Sequence, residues 1–286
     1  LLISVSLIFL NIKLSSNLIV FFPYNYYFYI FLILFFTQIS IGVRWYLLTN
    51  FYNKKIKILE AINFGFRFSS FGSLTFTGGS DIYKFFNSEK LKINLSEMSS
   101  VIIIEKISSF SSIILMILIG IILNLGDLEK TNFIIFVLVV LFFLLLTVLS
   151  NMKRIPYVNL INFSFQKIKK NLLINKNFTI MILLVSFLTQ ILSLLLYFIF
   201  FSYFTEITFK SLLLIIPLSN LIISISFFTF NGVGIRELAF ILFSGLTLIS
   251  QDISFIVALN ASFLITFYMI ISYLIANKIL FSNNKT

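Results

Sequence analysis

The chain contains no cysteine and no histidine. Without cysteine there are no disulfide staples and no thiolate nucleophile. Without histidine there is no imidazole metal ligand and no histidine-dependent catalytic triad. No cofactor and no metal are expected. Charge is scarce too: Asp, Glu, Lys and Arg make up 11% of 286 residues. Hydrophobic residues fill 59%, and mean hydropathy is +1.07. A water-soluble surface cannot be covered with so few polar groups. Apolar runs recur along the whole length, which predicts a polytopic membrane protein, all-α and forming one membrane domain over residues 1–286. The runs are continuous rather than alternating, so spanning helices are expected and a β-barrel is not. Phe occurs 38 times. Large apolar side chains substitute freely for one another against lipid, so that count carries no functional weight.

The net charge of +11 is read against a membrane surface, with no nucleic-acid partner. Candidate spans are 1–10, 26–49, 98–123, 133–151, 178–204 and 254–276, with shorter segments at 211–230 and 238–249. Residues 152–177 carry Lys153, Arg154, Lys167, Lys169, Lys170 and Lys176 and no acid, which places them in the cytoplasm. Residues 50–97, rich in lysine, fall on the same side. The connections 124–131, 205–210 and 250–253 hold Asp127, Glu129, Glu206 and Asp252, and face outward. The C-terminus is then cytoplasmic, in a bacterial-type inner (plasma) membrane. Val158, Ile161, Phe165, Ile168 and Leu172 recur at helical spacing in the basic segment, as expected of a helix lying on the inner leaflet or of a plain connector. A first residue of Leu rather than Met is read as a truncated N-terminus, and no secretory signal is visible.

Two polar, glycine-containing breaks interrupt the apolar sequence. One is Thr75-Phe76-Thr77-Gly78-Gly79-Ser80-Asp81; the other is Thr229-Phe230-Asn231-Gly232-Val233-Gly234-Ile235-Arg236-Glu237. Breaks at corresponding places in two halves point to a transporter-type site near the membrane midplane. The halves run about 26–151 and 178–276, joined by the basic segment 152–177. The first break is approached from the cytoplasmic side and the second from outside. Two re-entrant hairpins, inverted relative to each other, are therefore expected. Irregular backbone at that depth must be buried in protein or line a wet cavity.

Ionisable residues in apolar spans are costly and are functional candidates by default. Arg44 with Trp45 also fits a snorkelling, aromatic-anchored helix end. Glu105 and Lys106 are adjacent, so they point in different directions and one is expected to meet a charge on another helix. In Gly232-Val233-Gly234-Ile235-Arg236-Glu237, the glycines permit a sharp turn and a helix is expected to start near Ile235. Glu237 suits the helix dipole there; Arg236 opposes it, so a buried acid or a phosphate is expected as its partner. An ordinary ion pair at a helix break is the plain alternative. Gly78 and Gly79 are expected to turn the chain, with Ser80 or Asp81 capping the helix that follows and Lys84 one turn on. Asn220 and Ser224 share one helix face and read best as glue between helices.

These motifs resemble the lysylphosphatidylglycerol synthase transmembrane-region family, also described as flippase-like integral membrane proteins. Arg44-Trp45 is similar to that family's early Arg-Trp helix end. Gly78-Gly79-Ser80-Asp81 through Lys84 resembles its Gly-Asp-x-x-Arg region, and Glu105-Lys106 its Glu-Arg pair. Gly232-Val233-Gly234-Ile235-Arg236-Glu237 resembles its Gly-x-Gly-x-Arg-Glu signature. Departures are the missing prolines before each glycine motif, with Pro217 the nearest; Lys106 in place of Arg; and Ser109 where an acid is expected. The resemblance implies translocation of a phospholipid or lipid-linked head group between leaflets. Arg44, Gly78, Gly79, Asp81, Lys84, Glu105, Lys106, Asn231, Gly232, Gly234, Arg236 and Glu237 would contact the substrate. Partners would be anionic or zwitterionic membrane lipids, with cell-envelope synthesis proteins also possible. No aminoacyl transfer is implied, because the sequence stops shortly after Ala276. Two alternatives remain at this point: a membrane transferase using Asp81 and Glu237, and a non-transporting member of an envelope assembly.

Overall fold

The computed structural model describes residues 22–52, 56–75, 78–89, 93–124, 176–225, 232–245 and 249–283. The expected spans at 1–10 and 133–151, the basic segment through residue 175 and Asn231 lie outside the described residues. Every described element is a helix. They are α1 (Tyr24–Tyr52), α2 (Ile58–Leu74), α3 (Gly79–Phe86) and α4 (Leu95–Leu123), then α5 (Lys176–Phe204), α6 (Phe209–Ile225), α7 (Ile235–Ser244) and α8 (Gln251–Asn283). Among the described residues, four stretches are long and apolar enough to cross a membrane: Tyr24–Phe51, Leu95–Leu123, Asn177–Phe204 and Gln251–Asn277. Their outer faces carry exposed Phe28, Leu115, Leu184 and Leu274, as lipid-facing surface requires. The described residues are those of an all-helical membrane protein.

The helices run past the expected ends, because polar residues such as Asn50 and Gln251 extend a spanning helix into the interface. Lengths follow one rhythm in both halves. They are 29, 17, 8 and 29 residues for α1 to α4, and 29, 17, 10 and 33 for α5 to α8. At 1.5 Å per residue, α2 and α6 reach about 25 Å, short of a hydrocarbon core of about 30 Å.

The halves interlock. α1 and α5 pack antiparallel: Phe22 meets Phe200 and Phe204, Ser40 meets Thr189 at 2.8 Å, and Phe51 stacks on Phe178. α2 of the first half packs on α8 of the second, where Arg67 Nη2 donates to the Ala276 carbonyl at 2.8 Å. α6 packs on α4 in the matching way, with Asn124 Nδ2 donating to the Lys210 carbonyl at 3.1 Å. Gly120 permits that approach, since a β-carbon there would run into the Leu213 carbonyl. Gly42 and Gly65 let α1 and α2 touch backbone to backbone in the same manner. Asn220 is glue, as expected: its Nδ2 donates to Gln190 and Ser193 on α5, each at 3.2 Å.

Apolar packing fills the space around these contacts. One core gathers Ile30 and Leu34 of α1, Phe200 and Phe201 of α5, Leu212 and Ile215 of α6, Phe240 of α7 and Ala258 of α8. A second gathers Trp45, Phe68, Met98 and Val101 from α1, α2 and α4.

Candidate functional site: a cationic cleft between the two breaks

α3 starts at Gly79, straight after the first break, and points Lys84 inward. Lys84 is only 1% exposed, an extreme burial for an ammonium group that must be balanced by charge. Glu105 of α4 supplies the balance: Lys84 Nζ donates to its Oε2 at 2.7 Å. The other oxygen, Oε1, accepts from Arg44 Nη2 of α1 at 3.0 Å. Arg44 Nη1 donates to Ser109 at 2.7 Å, so the serine standing where the resemblance led to an acid still serves the arginine. Asp81 completes the cluster. Its Oδ1 lies 3.2 Å from Lys84 Nζ, and its Oδ2 lies 3.0 Å from Lys106 Nζ. Lys84 Nζ also sits 4.2 Å from the Phe68 ring centroid and 5.2 Å from that of Trp45.

Two sequence expectations are corrected here. Asp81 and Ser80 do not cap α3: the cap residue is Gly78, and no side-chain cap bond forms. The carboxylate is drawn instead to two ammonium groups, a stronger interaction than one backbone N–H offers. Arg44 does not snorkel and Trp45 does not anchor at an interface; Trp45 is 1% exposed. Glu105 neutralises the arginine in place, so it has no need to reach water. Gly78 lies in a turn between α2 and α3, as expected, with φ −84° and so not left-handed. Gly79 makes room for the Thr75 side chain, with which a β-carbon there would collide.

The second break matches its expectation more closely. Gly232 has φ +74° and Gly234 φ +87°, a region that L side chains rarely adopt. α7 then starts at Ile235. Glu237 turns back so that its Oε2 accepts the Gly234 N–H. Its Oε1 accepts from Ser262 of α8 at 2.7 Å, and Ser262 in turn accepts from Arg236 Nη1 at 2.9 Å. The buried acid expected beside Arg236 is therefore reached through a hydroxyl. Ser262 was not legible in the sequence, as one serine among many. Asp81 and Glu237, the pair a transferase would need, are each held by partners of their own half.

A cleft of about 240 Å³ joins the two breaks. From the first half its wall takes Arg44, Ser69, Ser73, Ser80, Lys84, Glu105 and Lys106; from the second it takes Ile223, Gly232 and Arg236. Six expected site residues thus line one space: Arg44, Lys84, Glu105, Lys106, Gly232 and Arg236. Asp81 and Glu237 brace that wall, while Gly78, Gly79 and Gly234 shape the backbone behind it. Four cations line the wall against Glu105, and with Asp81 and Glu237 behind them the site keeps an excess of one positive charge. Ser69 and Ser73, both missed as candidates, add hydroxyl groups. Among the described residues, no group of acids is placed to hold a metal ion. No family model, no curated protein and no solved structure matches this chain.

Proposed function

We propose that the chain is a flippase-like membrane protein that moves the head group of an anionic or zwitterionic lipid between leaflets. The cleft carries this reading: a cationic, hydroxyl-bearing space formed jointly by two broken helical segments of an otherwise apolar chain. Its volume, about 240 Å³, falls below the roughly 300–1,000 Å³ of sites that enclose a whole drug-sized ligand. A head group enters and the acyl chains stay in lipid. Arg236, presented by Ser262 and Glu237, contacts the anionic group. In this reading α2–α3 and α6–α7 are re-entrant hairpins of an inverted repeat. The shared length rhythm and the antiparallel packing of α1 on α5 support it, as does the insufficient length of α2 and α6. The C-terminus then faces the cytoplasm. The resemblance to the lysylphosphatidylglycerol synthase transmembrane region belongs to the same proposal.

The test is head-group scrambling in liposomes by purified protein, with wild type beside Arg236→Ala. Labelled lipid reaching the opposite leaflet only with wild type supports the reading. Equal scrambling by both, or none by either when both are folded, rejects it.

A further inference from the structure

Asp81 and Glu237 stand at equivalent positions. Each is the third residue of its short helix, behind a glycine cap, Gly78 or Gly234. Each reaches a partner on the following long helix, 25 residues further along the chain. Glu237 finds the Ser262 hydroxyl; Asp81 finds the Lys106 ammonium. The second half shows that a neutral hydroxyl suffices to hold the short helix against the long one. The charge on Lys106 is thus surplus to the architecture, and it lines the cleft with a side chain 49% exposed.

We infer that Lys84 and Lys106 form a subsite for a phosphate group, and that the Asp81 carboxylate occupies it in competition with the incoming anion. The carboxylate bridges the two ammonium groups at 3.2 and 3.0 Å, as the two non-bridging oxygens of a phosphodiester would, and inorganic phosphate would add a further oxygen and more charge. Asp81 is also the replaceable member of the cluster. Its side chain is 21% exposed, against 8% for Glu105. When Asp81 swings away, Lys84 keeps the 2.7 Å bond to Glu105 and its place over Phe68, so its burial remains balanced. The inference rests on the transport reading for why an anion comes to the cleft, and on geometry for where it binds.

The experiment is calorimetric titration of the purified full chain in a sugar-based detergent, with dihexanoylphosphatidylglycerol and, separately, inorganic phosphate. Asp81→Asn, which keeps size and removes the competing charge, should bind at least tenfold more tightly than wild type. Lys106→Gln should reduce binding at least tenfold. The chain has one tryptophan, and Trp45 lies beside Lys84, so its emission should change on binding. A gain with phosphatidylglycerol alone assigns a lipid source; a gain with both probes assigns the phosphate group itself. Asp81→Asn binding no more tightly than wild type overturns the inference, as does an Asp81→Asn chain that no longer folds. Undiminished binding by Lys106→Gln overturns it independently. Tighter binding by Asp81→Asn without scrambling by wild type would keep the subsite and remove the transport reading.

Discussion

Lys84 and Glu105 meet 2.7 Å apart with side chains only 2% and 8% exposed, and the other charges of the cleft are arranged around that pair. Glu105 answers two buried cations at once, so Glu105→Ala leaves Arg44 without its acid and Lys84 with Asp81 alone. Breaking a buried pair in this way costs about 3–5 kcal/mol. Thermal unfolding in detergent should show a large drop in midpoint. Replacing Arg44, Lys84 and Glu105 together by apolar residues of similar volume should be far milder, because no buried charge is stranded. That triple variant should fold and fail to scramble lipid, which would separate the cluster's function from the stability of the fold.

Lys106 offers the contrast. Its bridge to Asp81 is half in solvent, where a pair contributes about 1 kcal/mol or less. Lys106→Ala should therefore leave the unfolding midpoint nearly unchanged, while Lys84→Ala lowers it markedly. Equal losses for the two lysines would mean that exposure is not what separates them.

Ser262 acts through its neighbours. Its hydroxyl accepts from Arg236 and donates to Glu237, and no other residue type of that size does both. Ser262→Ala should cost about 1–3 kcal/mol through the unsatisfied groups it leaves. Scrambling should fall with it, and Ser262→Thr should restore both. Recovery of stability without recovery of transport would place Ser262 in the scaffold alone.

The two left-handed glycines should respond differently to alanine. At Gly234 an added β-carbon meets open space, so only backbone strain is felt, about 1–2 kcal/mol. At Gly232 the same strain is joined by a β-carbon 2.9 Å from Ile223 Cγ2, in the wall of the cleft. Gly232→Ala should lose more stability and also narrow the cleft. A scrambling assay beside a melting curve would show transport falling further than stability for Gly232→Ala, but in step with it for Gly234→Ala.

What the sequence made legible follows from the cost of charge in lipid. Arg44, Glu105, Lys106 and Arg236 were identifiable because each is expensive among apolar neighbours, and the glycines because they break a helical pattern. The helix start at Ile235 followed from the same break. The pairing was hidden. Arg44 and Glu105 are 61 residues apart, and nothing local to either names the other. Asp81 looked like a cap because caps are a local rule, and the lysines that claim it come from the next turn and from another helix. Serines were opaque for a further reason. Ser69, Ser73, Ser109 and Ser262 differ from their surface counterparts only in what the fold sets beside them.

The crossed packing of α2 on α8 and of α6 on α4 has a consequence for how the molecule holds together. Each half lends its shorter helix to the other half's last long one, so neither half has a complete interior by itself. The arrangement is a clasp, with each hand closed around the other's wrist. A rigid slide of one half past the other would break both grips at once. Motion that keeps the grips must instead happen inside them, at α3 and α7, the two short helices that flank the cleft and that pack against helices of their own half.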